Sequence, residues 1–306
     1  MRRLSSATLI MLGLLGVVYA QFRSDTRLVV LHASVADKHG KLLTDLPQNA
    51  FKVFENGQLQ TVKIFRREDV PVSLGIIIDD SGSMLTKRSR VEAAALSLVK
   101  ESNPQDEAFI VNFNDEWYLD VPFTSDIHKM EQGISKIDSR GGTAMRDAIS
   151  ASLDYMKEKA KKDKKVLLII TDGNDNASNT SLEKVVSRCN QSETLVYAIG
   201  LFTEEEKREG AKAKRALNEL TSTTGGIAFY PKDVSEVQSL ASEIARDIRS
   251  QYTIAYTPGI QELDGSYRQI KVLVDGPGKP TVRTRSGYYA TPEAPRSSKT
   301  SAGGGS

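Results

Sequence analysis

Cysteine is nearly missing from this chain: among 306 residues there is one, Cys189. A single thiol closes no intramolecular disulfide and builds no cysteine-rich zinc site, which excludes a disulfide scaffold and a zinc finger. Cys189 falls in a helix-like stretch and reads as a small, semi-buried residue. Histidine is scarce as well; His32, His39 and His128 fall on a strand-like, a turn-like and a helix-like segment and read as structural or exposed. Neither sign of charge dominates. The 41 basic and 39 acidic residues leave a formal net charge of +2, which gives no general attraction to nucleic acid or to an anionic membrane. Lys157, Lys159, Lys161, Lys162, Lys164 and Lys165 cluster, and read as the solvated end of a surface helix. Beyond the first 20 residues no apolar run is long enough to span a bilayer.

The amino terminus does carry an address. Arg2 and Arg3 precede an apolar core over residues 7–18, and Val18 and Ala20 are small residues at the two positions a signal peptidase reads. This predicts a signal peptide over residues 1–20, removed after Ala20, and export to the periplasm, the cell surface or the medium.

The length and a hydrophobic content of 39% suit about two domains with ordinary cores. Residues 28–35 alternate Val29, Leu31, Ala33 and Val35 on one face, a strand pattern. Phe51-Lys52-Val53-Phe54 runs into Asn56-Gly57, a dipeptide suited to a hairpin whose two central positions have positive φ, with residues 61–65 expected as the return strand. Near the other end, residues 252–256 and the alternating Arg268, Ile270, Val272 and Val274 again read as strands, followed by residues 282–285 and 288–289. Each flank alone would expose an apolar face, so residues 24–70 and 251–290 are expected to join as one discontinuous β-sandwich. Residues 291–306 end in Gly303-Gly304-Gly305-Ser306 and read as a flexible polar tail.

Between the flanks, strands and helices alternate over residues 71–250. Apolar runs at 74–79, 107–113, 165–171, 194–199 and 226–230 and a short one at 117–121 are separated by amphipathic stretches near 88–102, 125–137, 143–161, 181–189, 205–221 and 235–250. The reading is α/β: a doubly wound, Rossmann-like, mostly parallel six-stranded sheet with the smaller β-sandwich attached. In such a sheet ligands bind at the carboxyl ends of the strands, where the winding reverses. Three segments reach that edge: Asp79-x-Ser81-x-Ser83, Gly141-Gly142-Thr143 and Thr171-Asp172-Gly173. Carboxylates and hydroxyls gathered there form an oxygen-only donor set, suited to a hard divalent cation.

These three segments resemble the von Willebrand factor type A domain. Its metal-ion-dependent adhesion site is built from an Asp-x-Ser-x-Ser motif, a Thr on a second loop and an Asp on a third. Asp79, Ser81, Ser83, Thr143 and Asp172 match in type and order, and the resemblance covers residues 71–250. The flanks, with Phe54-Glu55-Asn56-Gly57 before and Gly287-Tyr288-Tyr289 after, resemble a group of exported bacterial proteins carrying this domain. The resemblance implies direct ligation by Ser81, Ser83 and Thr143, with Asp79 and Asp172 acting directly or through water. It also implies a further coordination position open to an acidic group on a protein partner. The resemblance also implies that ligation can change the metal's contacts and shift the last helix, here residues 235–250, which leads into the expected sandwich.

Magnesium takes about six oxygens and releases its waters reluctantly, so hydroxyls with two carboxylates suit it; manganese or calcium would also be accepted. Gly82 and Gly142 are expected to let the backbone turn closely around the ion, with Gly173 supporting the third loop. Other acids nearby read as structural: Asp80 on the far side of its strand end, Asp175 as a loop cap, and Asp147 as a complement to a helix dipole.

Three functions compete: an exported, metal-dependent interaction or adhesion module, an envelope scaffold whose metal only braces the loops, and an enzyme. Aspartate-nucleophile phosphatases place a second acid two positions after the first, where this chain has Ser81. The serine-hydrolase elbow needs glycines where Asp79 and Ser83 stand. The interaction module is the preferred reading, and the protein is not expected to be an enzyme.

Overall fold

The computed structural model describes residues 27–292 apart from 68, 135–139, 174, 203–206 and 277. The expected signal peptide and most of the polar tail lie outside the described residues. The chain begins with β1 (Val29–Ala36), β2 (Phe51–Glu55), β3 (Gln58–Gln60) and β4 (Val62–Arg66). It continues through β5 (Val72–Asp79), α1 (Arg88–Lys100), β6 (Glu107–Phe113), β7 (Trp117–Thr124), α2 (Ile127–Ile134) and α3 (Met145–Lys159). Then come β8 (Lys164–Thr171), α4 (Leu182–Ser192), β9 (Thr194–Gly200), α5 (Lys207–Thr224), β10 (Ala228–Phe229) and α6 (Val237–Arg249). The last strands are β11 (Tyr252–Tyr256), β12 (Tyr267–Val274), β13 (Thr281–Arg283) and β14 (Gly287–Tyr289).

The central sheet has the order β10-β9-β8-β5-β6-β7. Its strands are parallel except for β7, which pairs antiparallel with β6 at one edge. Every residue of β5 is buried, which explains why residues 74–78 within it run apolar rather than alternating. On one face, α1, α2 and α6 cover Ile76, Ile78, Ile110 and Leu168; on the other, α3, α4 and α5 cover Ile77, Phe109, Leu167 and Ile169. From β5 the chain winds one way to β6 and β7, then returns through α3 to β8 on the other side of β5. The winding therefore reverses at β5 and β8, whose carboxyl ends lie side by side.

The flanks make two antiparallel four-stranded sheets, β13-β1-β11-β4 and β14-β12-β2-β3. They share a core in which Phe51, Phe65 and Tyr252 stack with centroids 4.8–5.5 Å apart. Glu55, buried on β2, accepts hydrogen bonds from Tyr256 Oη on β11 at 2.7 Å and from Tyr288 Oη on β14 at 3.0 Å, linking the two sheets. Asn56 and Gly57 adopt φ of 47° and 80°, the hairpin geometry the dipeptide predicts.

The return strand differs from the sequence reading. Gln58–Gln60 pairs back onto β2, while Val62–Arg66 crosses to the other sheet and pairs with β11. A run of three residues is too polar to announce itself as a strand, and the more apolar segment after it drew the assignment. Lys164 also differs. It is buried at the start of β8, not solvated with its neighbours, and its ammonium donates to Ile248 O at the end of α6.

The flank sheets meet the central sheet at the amino ends of its strands. Arg283 on β13 pairs with Asp247 on α6 at 2.9 Å, and Arg285 pairs with Glu193, just before β9, at 3.1 Å. Gly225, with φ of 90°, lies where a Cβ would come within 2.6 Å of the Thr284 backbone. Such an approach needs glycine. Among the described residues, the contacts of the flank sheets named above lie away from the opposite, carboxyl edge.

Candidate functional site

Each segment at the carboxyl edge is placed by the strand or helix it borders. β5 ends at Asp79, and a short 3-10 turn, Gly82–Met84, follows Ser81 and carries Ser83. Asp79 is buried; its Oδ1 accepts from Ser81 N at 2.9 Å, and Thr171 Oγ1, from the end of β8, donates to its Oδ2. Burial pushes the Asp79 carboxyl up to about 6, and the Asp172 charge adds to that against the hydrogen bonds from Ser81 and Thr171.

Asp172 follows β8 and is also buried. Its Oδ1 accepts from Ser83 Oγ at 2.7 Å, and Ser83 Oγ lies 3.2 Å from Ser81 Oγ. Thr143 comes from the loop before α3, held by hydrogen bonds in both directions: its N–H donates to Asn176 Oδ1 at 2.9 Å, and its carbonyl accepts from Asn176 N and Ala177 N at 3.1 and 3.2 Å. Gly173 sits against two of these groups. A Cβ built on it would lie 3.2 Å from Thr143 Oγ1 and 3.9 Å from Asp79 Oδ2. Three loops, distant in the chain, thus bring Asp79, Ser81, Ser83, Thr143 and Asp172 to one place.

The glycines divide. At Gly142 a Cβ would meet Asp115 Oδ1 at 2.7 Å and Asn176 Oδ1 at 2.8 Å, so a larger residue would push aside two side-chain oxygens that accept from Gly142 N and Thr143 N. At Gly82 a Cβ would meet only Gly141 O, at 3.9 Å, and φ is not positive, so neither crowding nor strain requires glycine. Gly82 N instead donates to Gly141 O at 3.3 Å, tying the first loop to the second through backbone atoms any residue has.

The neighbouring acids have structural work. Asp80 is buried, with its N–H donating to Phe113 O at 2.7 Å and its carbonyl accepting from Arg140 N at 2.9 Å. Asp175 accepts from Arg146 N at 2.7 Å and from Arg146 Nη2 at 2.8 Å, capping the start of α3. Asp147 sits in the first turn of α3 and accepts from Asn179 N and Thr180 N at 2.8 and 2.9 Å, so it ties down the third loop besides facing the helix dipole. Cys189 is fully buried against α4's core, and burial pushes its thiol up to about 12, leaving it inert.

Sequence reasoning placed Thr171 at the edge without giving its side chain a role, and missed Asp115, Asn176 and Lys87. Thr171 and Asn176 flank the motif positions closely enough for their hydrogen-bonding types to have flagged them. Lys87 gave no signal of its own; its Nζ lies 2.5 Å from Asp172 Oδ2.

The donor set is two carboxylates and three hydroxyls, all oxygen, and among the described residues no cluster of three or more His, Cys, Asp or Glu exists. That composition fits a hard divalent cation better than a soft one, since it offers neither imidazole nor thiolate.

The model of the von Willebrand factor type A domain matches residues 74–243. The chain is 23% identical over 181 residues to calcium-activated chloride channel regulator 1 of Mus musculus, and 22% identical over 173 residues to its counterpart in Equus caballus. It spans 18% of the length of these curated relatives. Among solved structures, a von Willebrand factor type A protein from Catenulispora acidiphila is similar, with a TM-score of 0.52, 13% identity and coverage of 85% of this chain and 73% of that one. Proximal thread matrix protein 1 from the mussel byssus, with a zinc-occupied MIDAS motif, has a TM-score of 0.51 and 15% identity, covering 64% of this chain and 50% of that one. At these identities the likeness is one of fold.

Proposed function

This chain belongs to the von Willebrand factor type A domain family, and from that premise we propose that it captures an acidic group of a protein partner through a divalent cation. Asp79, Ser81, Ser83, Thr143 and Asp172 would hold the ion. The observation that carries this reading is the convergence of these five oxygen-bearing side chains at the sheet's switch point. Bound there, magnesium, or manganese or calcium in its place, supplies an electrophilic point for a partner's carboxylate oxygen. Ser81 and Ser83 contribute neutral oxygens, and the two buried carboxylates balance the ion's charge without quenching it. Thr171 and the Ser81 backbone orient Asp79, and Asn176 orients Thr143. The zinc in the mussel protein's motif supports the use of this constellation for a metal.

Among the described residues no histidine lies at the site: His32 sits in the flank sheets, His39 in an exposed turn and His128 on an exposed face of α2. The leader composition favours an exported protein, working at the cell surface, in the periplasm or secreted, with the flanking sheets forming a sandwich that folds as a unit of its own.

The test is calorimetry of the full chain with Mg2+ and Mn2+, then capture of partners from the native envelope with and without chelator. Ser81→Ala and Asp79→Ala should each weaken metal binding by about tenfold or more and abolish chelator-sensitive capture. Unchanged affinity in both variants would overturn the ligand assignment. Capture that ignores chelator would favour a scaffold whose metal only braces the loops.

A further inference from the structure

Lys87 is the cation nearest the site among the described residues, and its position is built rather than incidental. It follows the 3-10 turn that carries Ser83; its N–H donates to Met84 O at 2.9 Å, and its carbonyl accepts from Arg90 N at 3.1 Å and Val91 N at 3.2 Å as α1 begins. The backbone is therefore fixed at both ends. From there the side chain, only 11% exposed, reaches Asp172 Oδ2 at 2.5 Å, and the Asp172 side chain is fully buried. The other carboxylate oxygen of Asp172 takes the Ser83 hydroxyl at 2.7 Å. Asp172 thus bridges a hydroxyl of the site and an ammonium supplied by the chain itself.

The geometry points to Lys87 as a built-in competitor of the divalent cation, setting the free cation concentration at which the site loads. The inference rests on the metal-site reading above. The physical reason is charge. A fixed ammonium on one of two carboxylates makes the site one unit more positive at every occupancy, and at a few ångströms in a partly buried place that repulsion is weakly screened. An incoming ion must share Asp172 with Lys87 or displace it. The same contact holds the Asp172 side chain in place before loading.

The experiment is calorimetric titration of the full chain with Mg2+ and Mn2+, comparing wild type with Lys87→Met, Lys87→Gln and Lys87→Arg. Circular dichroism confirms the fold of each. Removing the charge, by Met or Gln, should tighten binding by about tenfold, while Arg, which keeps it, should stay within a few-fold of wild type. Ser81→Ala in the same series separates the two ideas. If wild type binds neither ion, or Ser81→Ala binds as wild type does, the metal-site reading itself fails. If wild type binds and Ser81→Ala does not, but both neutral variants bind equally to or more weakly than wild type, the site stands and the role given to Lys87 is overturned.

Discussion

His32 on β1, only partly exposed, is a group through which stability should respond to pH. Burial holds its imidazole down to about 3, helped by the charges of Lys164 and Arg285, with Thr253 Oγ1 3.4 Å from its Nδ1. In the unfolded chain the ring titrates near its ordinary value of 6.5. Between those values the unfolded state carries the extra proton, so stability rises with pH and falls on acidification through the window. One proton sets a slope of at most about 1.4 kcal/mol per pH unit. Replacing His32 by Gln should flatten the dependence of stability on pH between about 4 and 6.5, measured as urea midpoints across that range; a slope equal to wild type's would show that His32 is not held neutral. At this same scale, the alternation of β1 places His32 in the sequence, but nothing in the sequence tells that Lys164 and Arg285 come to lie near it.

At the scale of elements, β5 matters most, because it carries Asp79 to the edge and is packed on both faces. Gly75 in its middle leaves room for two neighbours: a Cβ would lie 2.4 Å from Phe109 Cζ and 2.5 Å from Leu167 Cδ2. Phe109 cannot yield easily, being packed edge-on against Phe123 at 4.8 Å and Tyr155 at 5.0 Å. Gly75→Ala should therefore cost about 1–3 kcal/mol through overpacking, seen as a lower denaturation midpoint with an unchanged m-value. A midpoint within error of wild type's would mean that the ring has space to move. The long apolar strands and amphipathic helices were legible because their periodicities differ and repeat. The short β3 was not, since three half-exposed residues carry no period.

The whole molecule is organised with the candidate site at one edge of the central sheet and the flank sheets at the other. Asp247 near the end of α6 is a joint between them: buried, it accepts from Tyr197 Oη on β9 at 2.7 Å and from Arg283 Nη2 on β13 at 2.9 Å. Gln251 Nε2 extends the joint, donating to Tyr197 Oη and to Ser34 Oγ on β1, both at 3.1 Å. The ammonium of Lys164 also donates to the Ile248 carbonyl near the end of α6. Asp247→Ala would strand a buried hydroxyl and a guanidinium, and should cost about 3 kcal/mol, read by calorimetric unfolding of the full chain. A loss under about 0.5 kcal/mol would place the joint elsewhere. The same contacts fix the carboxyl end of α6 against the flank sheets and β8.

The sequence by itself determined the alternation of strands and helices, the pairing of two flanks that each expose an apolar face, and five oxygen-bearing residues that the fold brings together. These follow from local periodicity and from a motif whose spacing is short. Only the tertiary structure decided that Val62–Arg66 changes sheets, that Lys164 is buried, that Gly142 but not Gly82 is crowded, and that Lys87 reaches Asp172. Each of these depends on a neighbour far away in the chain, and the energy of a buried charge or a crowded Cβ is set by that neighbour rather than by the residue's own type.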